Sequence, residues 1–335
     1  MLEHGGRLKL AARHYGIPLE EWLDLSTGIN PNGWPVPMVP SSLWTRLPED
    51  EDVLEQAARD YYGAETILPV AGSQAAIQML PRLRPPCRVG VLHPGYAEHA
   101  HAWRRAGHQV LQVAAESIDD TVQQLDVLII IHPNNPTGAE FSVQQLLSWH
   151  EQLSSRGGWL VVDEAFMDAT PEHSLVPFSC RPGLIVLRSL GKFFGLAGAR
   201  VGFVCAQSEL LEQLKNSLGP WAVNAPARWV ASTALADCVW QQAARKKLRN
   251  DGMRLDKLLS QYGLAPNGGC ALFQWVKSSQ ANELHHRFAA QGILTRLFVA
   301  SSSVRFGLPG SENDWQRLDS ALTELTEINR EEVSL

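Results

Sequence analysis

"GLIVLRSLGKFFGLAGAR", Gly183 to Arg200, holds an apolar run, then a lone lysine, then a lone arginine. GLIVLR has the aliphatic content of a strand buried on both faces. Lys192 follows it among glycines, leucines and phenylalanines, and Arg200 comes eight residues later. Surface lysines usually travel with other polar residues, and this one does not. In open α/β sheets, ligands bind beyond the carboxyl ends of the strands, so a cation here directs attention to the other strand ends.

Strand-like and helix-like runs alternate on both sides of that stretch. TILPV precedes GSQAAIQMLPRL, and RVGVL precedes an amphipathic stretch from Tyr96 to Ala106. HQVLQV and the continuous apolar run DVLIII read as strands, SVQQLLSWHEQLSSR as a helix, and GWLVVDEAF as the next strand. This alternation predicts an α/β fold with a mainly parallel central sheet. After PWAVNAPAR the texture changes. A helical stretch runs from about Ala227 to Leu259, and short strands follow in CALFQWV, GILTRL and SVRFGLP. The expected organisation is a large domain over 30–226 and a smaller α+β domain formed by 1–29 and 227–335.

With 335 residues, 45% of them hydrophobic, the chain has material for a sizeable core. Its net charge of −6 without long charge runs gives no nucleic-acid or anionic-membrane surface. Cys87, Cys180, Cys205, Cys238 and Cys270 are odd in number and scattered, as expected of free thiols in a reducing compartment. MLEHGGRLKLAARHYG has no apolar signal core, and no window reaches the ~18 apolar residues of a membrane span. The expectation is a soluble, cytoplasmic chain. His93, His99 and His101 are read as a helix start and its exposed face rather than a metal site. His285 and His286 are read as surface residues, and the acidic run Glu49–Asp52 as a solvated helix start.

Polar groups gather at the strand ends. After TILPV, Gly72, Ser73 and Gln74 open a helix whose N–H groups suit a phosphate, although Ser73 also serves as an ordinary cap. After DVLIII comes HPNNPTG, which is equally a plain turn. Asp163 ends GWLVV, where a carboxylate needs a cationic or hydrogen-bonding partner. Ser189, Lys192 and Arg200 follow GLIVLR. An amine in apolar surroundings has a disfavoured charged form and can condense with an aldehyde. A buried carboxylate for a pyridinium nitrogen, a phosphate cradle and such a lysine together describe a pyridoxal 5′-phosphate site.

The order AGSQ…HPGY…NNPTG…DEAF…SLGKFFGLAGAR resembles the fold-type-I pyridoxal-phosphate enzymes of the aminotransferase class I/II group. Closer still, with HGG, LSTGINPNG, DEAF and PWAVNA added, it is similar to the decarboxylases of phosphorylated threonine that serve cobalamin biosynthesis. The resemblance implies that Lys192 forms the Schiff base and Asp163 keeps the ring nitrogen protonated. It implies that Asn135 bonds the ring oxygen and Tyr96 stacks on the ring. Gly72, Ser73, Gln74, Ser189 and Arg200 complete the cofactor contacts, and His4, Gly5, Gly28, Asn135, Arg296 and Arg305 hold the substrate. No metal is implied. The two arginines suit a small substrate with both a phosphate and a carboxylate. A homodimer is implied, together with a transient contact with the next enzyme of the pathway.

Three positions depart from the wider group. Phe166 stands where its transferases carry a tyrosine, in agreement with the decarboxylase pattern. Leu47 replaces the tyrosine that in many relatives reaches a partner subunit's phosphate. Gly28 stands where the decarboxylases can carry asparagine, so only a backbone contact is left. The alternative reading is a histidinol-phosphate aminotransferase. A further one is a non-catalytic partner-binding protein on the same fold, which the intact Lys192–Asp163 pair argues against.

Overall fold

The computed structural model describes residues 4–50 and 52–333, so the extreme ends of the expected small domain and Glu51 of the acidic run lie outside the described residues. The chain divides into two compact units. The first comprises residues 1–32, 136–138 and 246–335; the second comprises 33–135 and 139–245.

In chain order the strands are β1 (Leu23–Asp24), β2 (Leu68–Val70), β3 (Arg88–Leu92), β4 (Gln109–Val113), β5 (Val127–Ile131), β6 (Trp159–Asp163) and β7 (Leu184–Ser189). Then come β8 (Gly202–Cys205), β9 (Gly268–Cys270), β10 (Phe273–Lys277), β11 (Ile293–Leu294), β12 (Arg296–Phe298) and β13 (Ser303–Gly307). The helices are α1 (Leu8–Tyr15), α2 (Leu54–Tyr62), α3 (Ser73–Met79), α4 (Ala97–Arg105), α5 (Ile118–Thr121) and α6 (Val143–Ser154). They continue with α7 (Ser208–Leu218), α8 (Ala225–Ala236), α9 (Cys238–Gln261), α10 (Ala281–Ala290) and α11 (Glu312–Val333).

The second unit is built on a seven-stranded sheet in the order β2-β8-β7-β6-β5-β3-β4. From β7 to β4 all neighbours are parallel, and β8 runs antiparallel to both β7 and β2. The mainly parallel sheet expected from the alternation is therefore present, with β8 as an added antiparallel strand. All five residues of β5 are buried, as a strand covered on both faces requires. Val89, Val127, Ile129, Val161, Ile185 and Val204 share one cluster with Ala76 and Ile77 of α3 and Trp103 of α4. α6 begins with a capping box between Ser142 and Gln145, which satisfies two otherwise orphaned N–H groups.

The single helical stretch expected over 227–259 is two helices, broken at Asp237. There the Asp237 carboxylate accepts from Trp240 N at 3.0 Å and from Trp34 Nε1 at 3.0 Å. Asp237 caps the second helix and so ends the first.

The first unit holds an antiparallel sheet in the order β12-β13-β10-β9 and a parallel pair of β1 with β11. α1 packs with α10, and Ala11, Trp22, Ala289 and Leu294 form a small core there. Among the described residues, no helix is long and apolar enough to cross a membrane.

Candidate functional site

β6 delivers Asp163 to the carboxyl edge of the sheet, buried among apolar neighbours. The partner it needs is His99 of α4, whose Nε2–H donates to Asp163 Oδ2 at 2.9 Å; the other oxygen accepts from Ala165 N at 3.1 Å. His93 and His101 are exposed, as expected, but His99 is 1% exposed. Its reading as a surface residue is thus corrected: on a helix, positions three apart share a face, and Tyr96 and His99 turn inward together, their rings 6.1 Å apart and nearly perpendicular. Tyr96 OH donates to Gln74 Oε1 at 3.4 Å, and Gln74 in turn donates to Glu98 at 2.9 Å. Burial, reinforced by Glu98 and Asp163, pushes the Tyr96 phenol up to about 12, so the ring stays neutral.

Gly72, Ser73 and Arg200 come together at the start of α3. Gly72 has φ +71°, and a Cβ there would run into the Arg200 guanidinium. Arg200 itself sits in the left-handed region at φ 55° and ψ 49°, a conformation that costs a non-glycine residue and clusters at ligand sites. Its Nη1 donates to Ala197 O at 3.0 Å. Gly202 of β8, which the sequence reading did not single out, packs against the start of α3. A Cβ at this position would collide with the Ser73 amide, so glycine lets the strand backbone lie against the helix start. Ser189 ends β7, and its Oγ accepts from Gly191 N at 3.2 Å. Lys192 follows, half-buried, with Nζ 5.5 Å from the centre of the Phe166 ring. Asn135 is half-buried beside Asn134, whose Nδ2 donates to Pro94 O at 2.8 Å.

The first unit gathers most of the expected substrate residues. A Cβ on Gly5 would strike Ser26 O, and Gly6 N donates to Ser26 Oγ at 2.7 Å. Ser26 is held in turn by Asp24 Oδ1, and its carbonyl accepts from Arg305 Nη2 at 2.8 Å. His4 is half-buried and Gly28 buried. Arg296 and Arg305 face each other at one register position of β12 and β13. Like charges directly opposite are destabilising, and an anion between them removes that penalty. Burial, together with Arg296, lowers the Arg305 guanidinium to about 10; it remains charged at neutral pH.

The family model of class I and II aminotransferases matches residues 47–323. The chain belongs to the class I and II aminotransferase family. Two relatives in that family are named threonine-phosphate decarboxylase. The one from Pseudomonas aeruginosa is 56% identical over 96% of this chain and 97% of its own. The one from Sinorhizobium is 40% identical over 96% and 98%. Among solved structures, histidinol-phosphate aminotransferase from Sinorhizobium meliloti, in complex with pyridoxal 5′-phosphate, aligns with a TM-score of 0.82 at 19% identity, covering 97% of this chain and 95% of that one. At that identity the likeness speaks for the fold alone.

Pyridoxal 5′-phosphate is the cofactor of class I and II aminotransferases, and the second unit fits it. At the start of α3, glycine at 72 lets the Arg200 guanidinium lie against the backbone, which places a cation beside the helix N–H groups that a phosphate needs. Asp163 is a buried carboxylate already fixed by two donors.

Proposed function

We propose that the chain is a pyridoxal-phosphate-dependent decarboxylase that converts L-threonine O-3-phosphate to (R)-1-aminopropan-2-ol O-2-phosphate for cobalamin biosynthesis. The observation that carries this reading is the near full-length 56% identity to a threonine-phosphate decarboxylase. Phe166 in place of a transferase tyrosine agrees with it. The transferase alternative rests on more distant sequence relatives and on a fold that both activities share.

When bound, pyridoxal 5′-phosphate supplies an aldehyde that takes up an amine and a ring that draws electrons from the bonds at Cα. Asp163, stiffened by His99, would keep that ring's nitrogen protonated. Tyr96 would cover one face, and Asn135 would donate to the ring oxygen. The amides at Gly72 and Ser73, the Ser189 hydroxyl and Arg200 would hold the phosphate. Lys192 would hold the aldehyde until substrate arrives, then carry at Nζ the proton that replaces the departing carbon dioxide. His4, Arg296 and Arg305 would bind the substrate's two anionic groups, with Gly5 and Gly28 giving close backbone approach. The reducing, cytoplasmic setting rests on five free cysteines. A homodimer and a passing contact with the enzyme that takes the product complete the proposal.

The test is incubation of the purified protein with L-threonine O-3-phosphate and no oxo acid, measuring carbon dioxide. Many turnovers are expected, and borohydride reduction should label Lys192 and no other lysine. A stall after one turnover that histidinol phosphate plus 2-oxoglutarate relieves would establish the transferase instead.

A further inference from the structure

A cavity of about 460 Å³ opens in the first unit between α1, α10 and the strands β11 and β12. Its volume falls in the ~300–1,000 Å³ range of sites that enclose drug-sized ligands, more than a four-carbon phosphate requires. Part of its lining (His4, Gly5 and Arg296) belongs to the substrate contacts proposed above. The rest does not. α1 and the turn before it contribute Arg7, His14 and Tyr15, and α10 contributes His285 and His286.

Among the described residues, the lining contains no aspartate or glutamate and carries Arg7 and Arg296. A lining of that charge favours an anion. The rings supply a second preference. Tyr15 lies 4.8 Å from His14 and 6.4 Å from His286, and His285 lies 5.5 Å from His286. Leu10, Leu297 and Val299 add apolar surface. One histidine ring is also held in place: Tyr15 OH and His286 Nδ1 are 2.6 Å apart. Because that bond uses Nδ1, Nε2 is the ring atom left to meet a ligand. His285 Nδ1 lies 2.9 Å from Thr295 Oγ1.

We propose that this cavity binds a second anion beside the substrate site: a phosphate monoester carrying a flat, mostly apolar group. The proposal relies on the function proposed above only for the substrate's own contacts.

Phenyl phosphate is the probe, titrated by calorimetry into the cofactor-loaded protein. One bound molecule per chain is expected, held more tightly than inorganic phosphate. H285A/H286A should weaken it about tenfold, the scale of one lost charged hydrogen bond, and leave kcat/KM for L-threonine O-3-phosphate within about twofold. H286A alone, at an exposed position, together with a circular dichroism spectrum, separates lost binding from lost folding. The proposal is overturned by absence of binding at millimolar phenyl phosphate, or by undiminished binding in the double variant. It is also overturned if kcat/KM falls in step with phenyl phosphate affinity, since the histidines then serve the substrate. A protein that binds the probe but releases no carbon dioxide would refute the proposed activity and not the second site.

Discussion

Asp163 and His99 form the most consequential pair of side chains in the second unit. Both are nearly inaccessible, and each supplies the other's hydrogen bond. Removing His99 leaves a buried carboxylate short of a donor, which costs ~1.5–3 kcal/mol when the acceptor is charged. His99→Ala should therefore lower kcat about tenfold and weaken cofactor retention to a similar degree, while KM changes less. His99→Gln, which keeps a donor on a comparable reach, should recover part of both. Stopped-flow kinetics and equilibrium dialysis of the cofactor measure this. An unchanged kcat would mean that His99 only packs. Asp163 was legible as a carboxylate in need of a partner because it ends an apolar strand. The partner was not legible, because HPGYAEHAHAW contains three histidines whose inward or outward direction depends on where the helix begins. The inward spacing of Tyr96 and His99 was the available signal.

Among the elements, the end of β5 and the end of β7 each hold a buried polar group with a measurable effect. His132, just past β5, is inaccessible and accepts from Phe141 N at 3.1 Å. Burial lowers it from the ordinary 6.5 to about 4. Between those values the unfolded chain takes up a proton and the folded chain does not, so stability falls as pH drops from 6.5 to 4, by up to ~3 kcal/mol. Urea unfolding should show this loss in the natural chain and a shallower one in His132→Gln. Arg188 of β7 binds Glu164 at 2.6 Å and Asp168 at 2.9 Å, with all three buried. Arg188→Met should cost ~3–5 kcal/mol, because two carboxylates lose their counter-charge; an unchanged urea midpoint would contradict this. Most strands could be read from the sequence because long apolar runs mark them. β8 was not, since four residues after a glycine-rich loop give too little pattern. The break between α8 and α9 was signalled by Asp237, a capping residue three positions before Trp240.

For the whole molecule, the informative feature is what remains uncovered. Between residues 36 and 53 of the second unit, Val36, Met38, Trp44, Leu47 and Val53 are all exposed, Met38 at 95% and Trp44 at 69%. Exposed apolar side chains at this density are expected at a surface that another chain covers. Enzymes of this family typically act as dimers, and a second copy of the chain is the expected cover. Sedimentation should give a dimer, and Trp44→Asp should shift it toward monomer at micromolar concentration; a natural chain that sediments as an active monomer would refute this. The α/β class was legible because recognisable strands alternate with helices, and the proposed cofactor groups could be named because each follows such a strand. The arginines proposed for the substrate came only through resemblance, since nothing local in LTRLFVASSSVRF announces that two of its residues share a register position.

The neighbouring carboxylates Asp163 and Glu164 point to different partners, one to His99 and the other to Arg188 with Ser174. In WLVV, both faces of the strand are apolar, so hydrophobic pattern alone would tolerate a slip by one residue. The two acids forbid it. A slipped strand would present the longer acid to His99 and leave Arg188 facing the wrong side chain. The two differently partnered acids thus fix the register of β6 where its apolar residues alone would not.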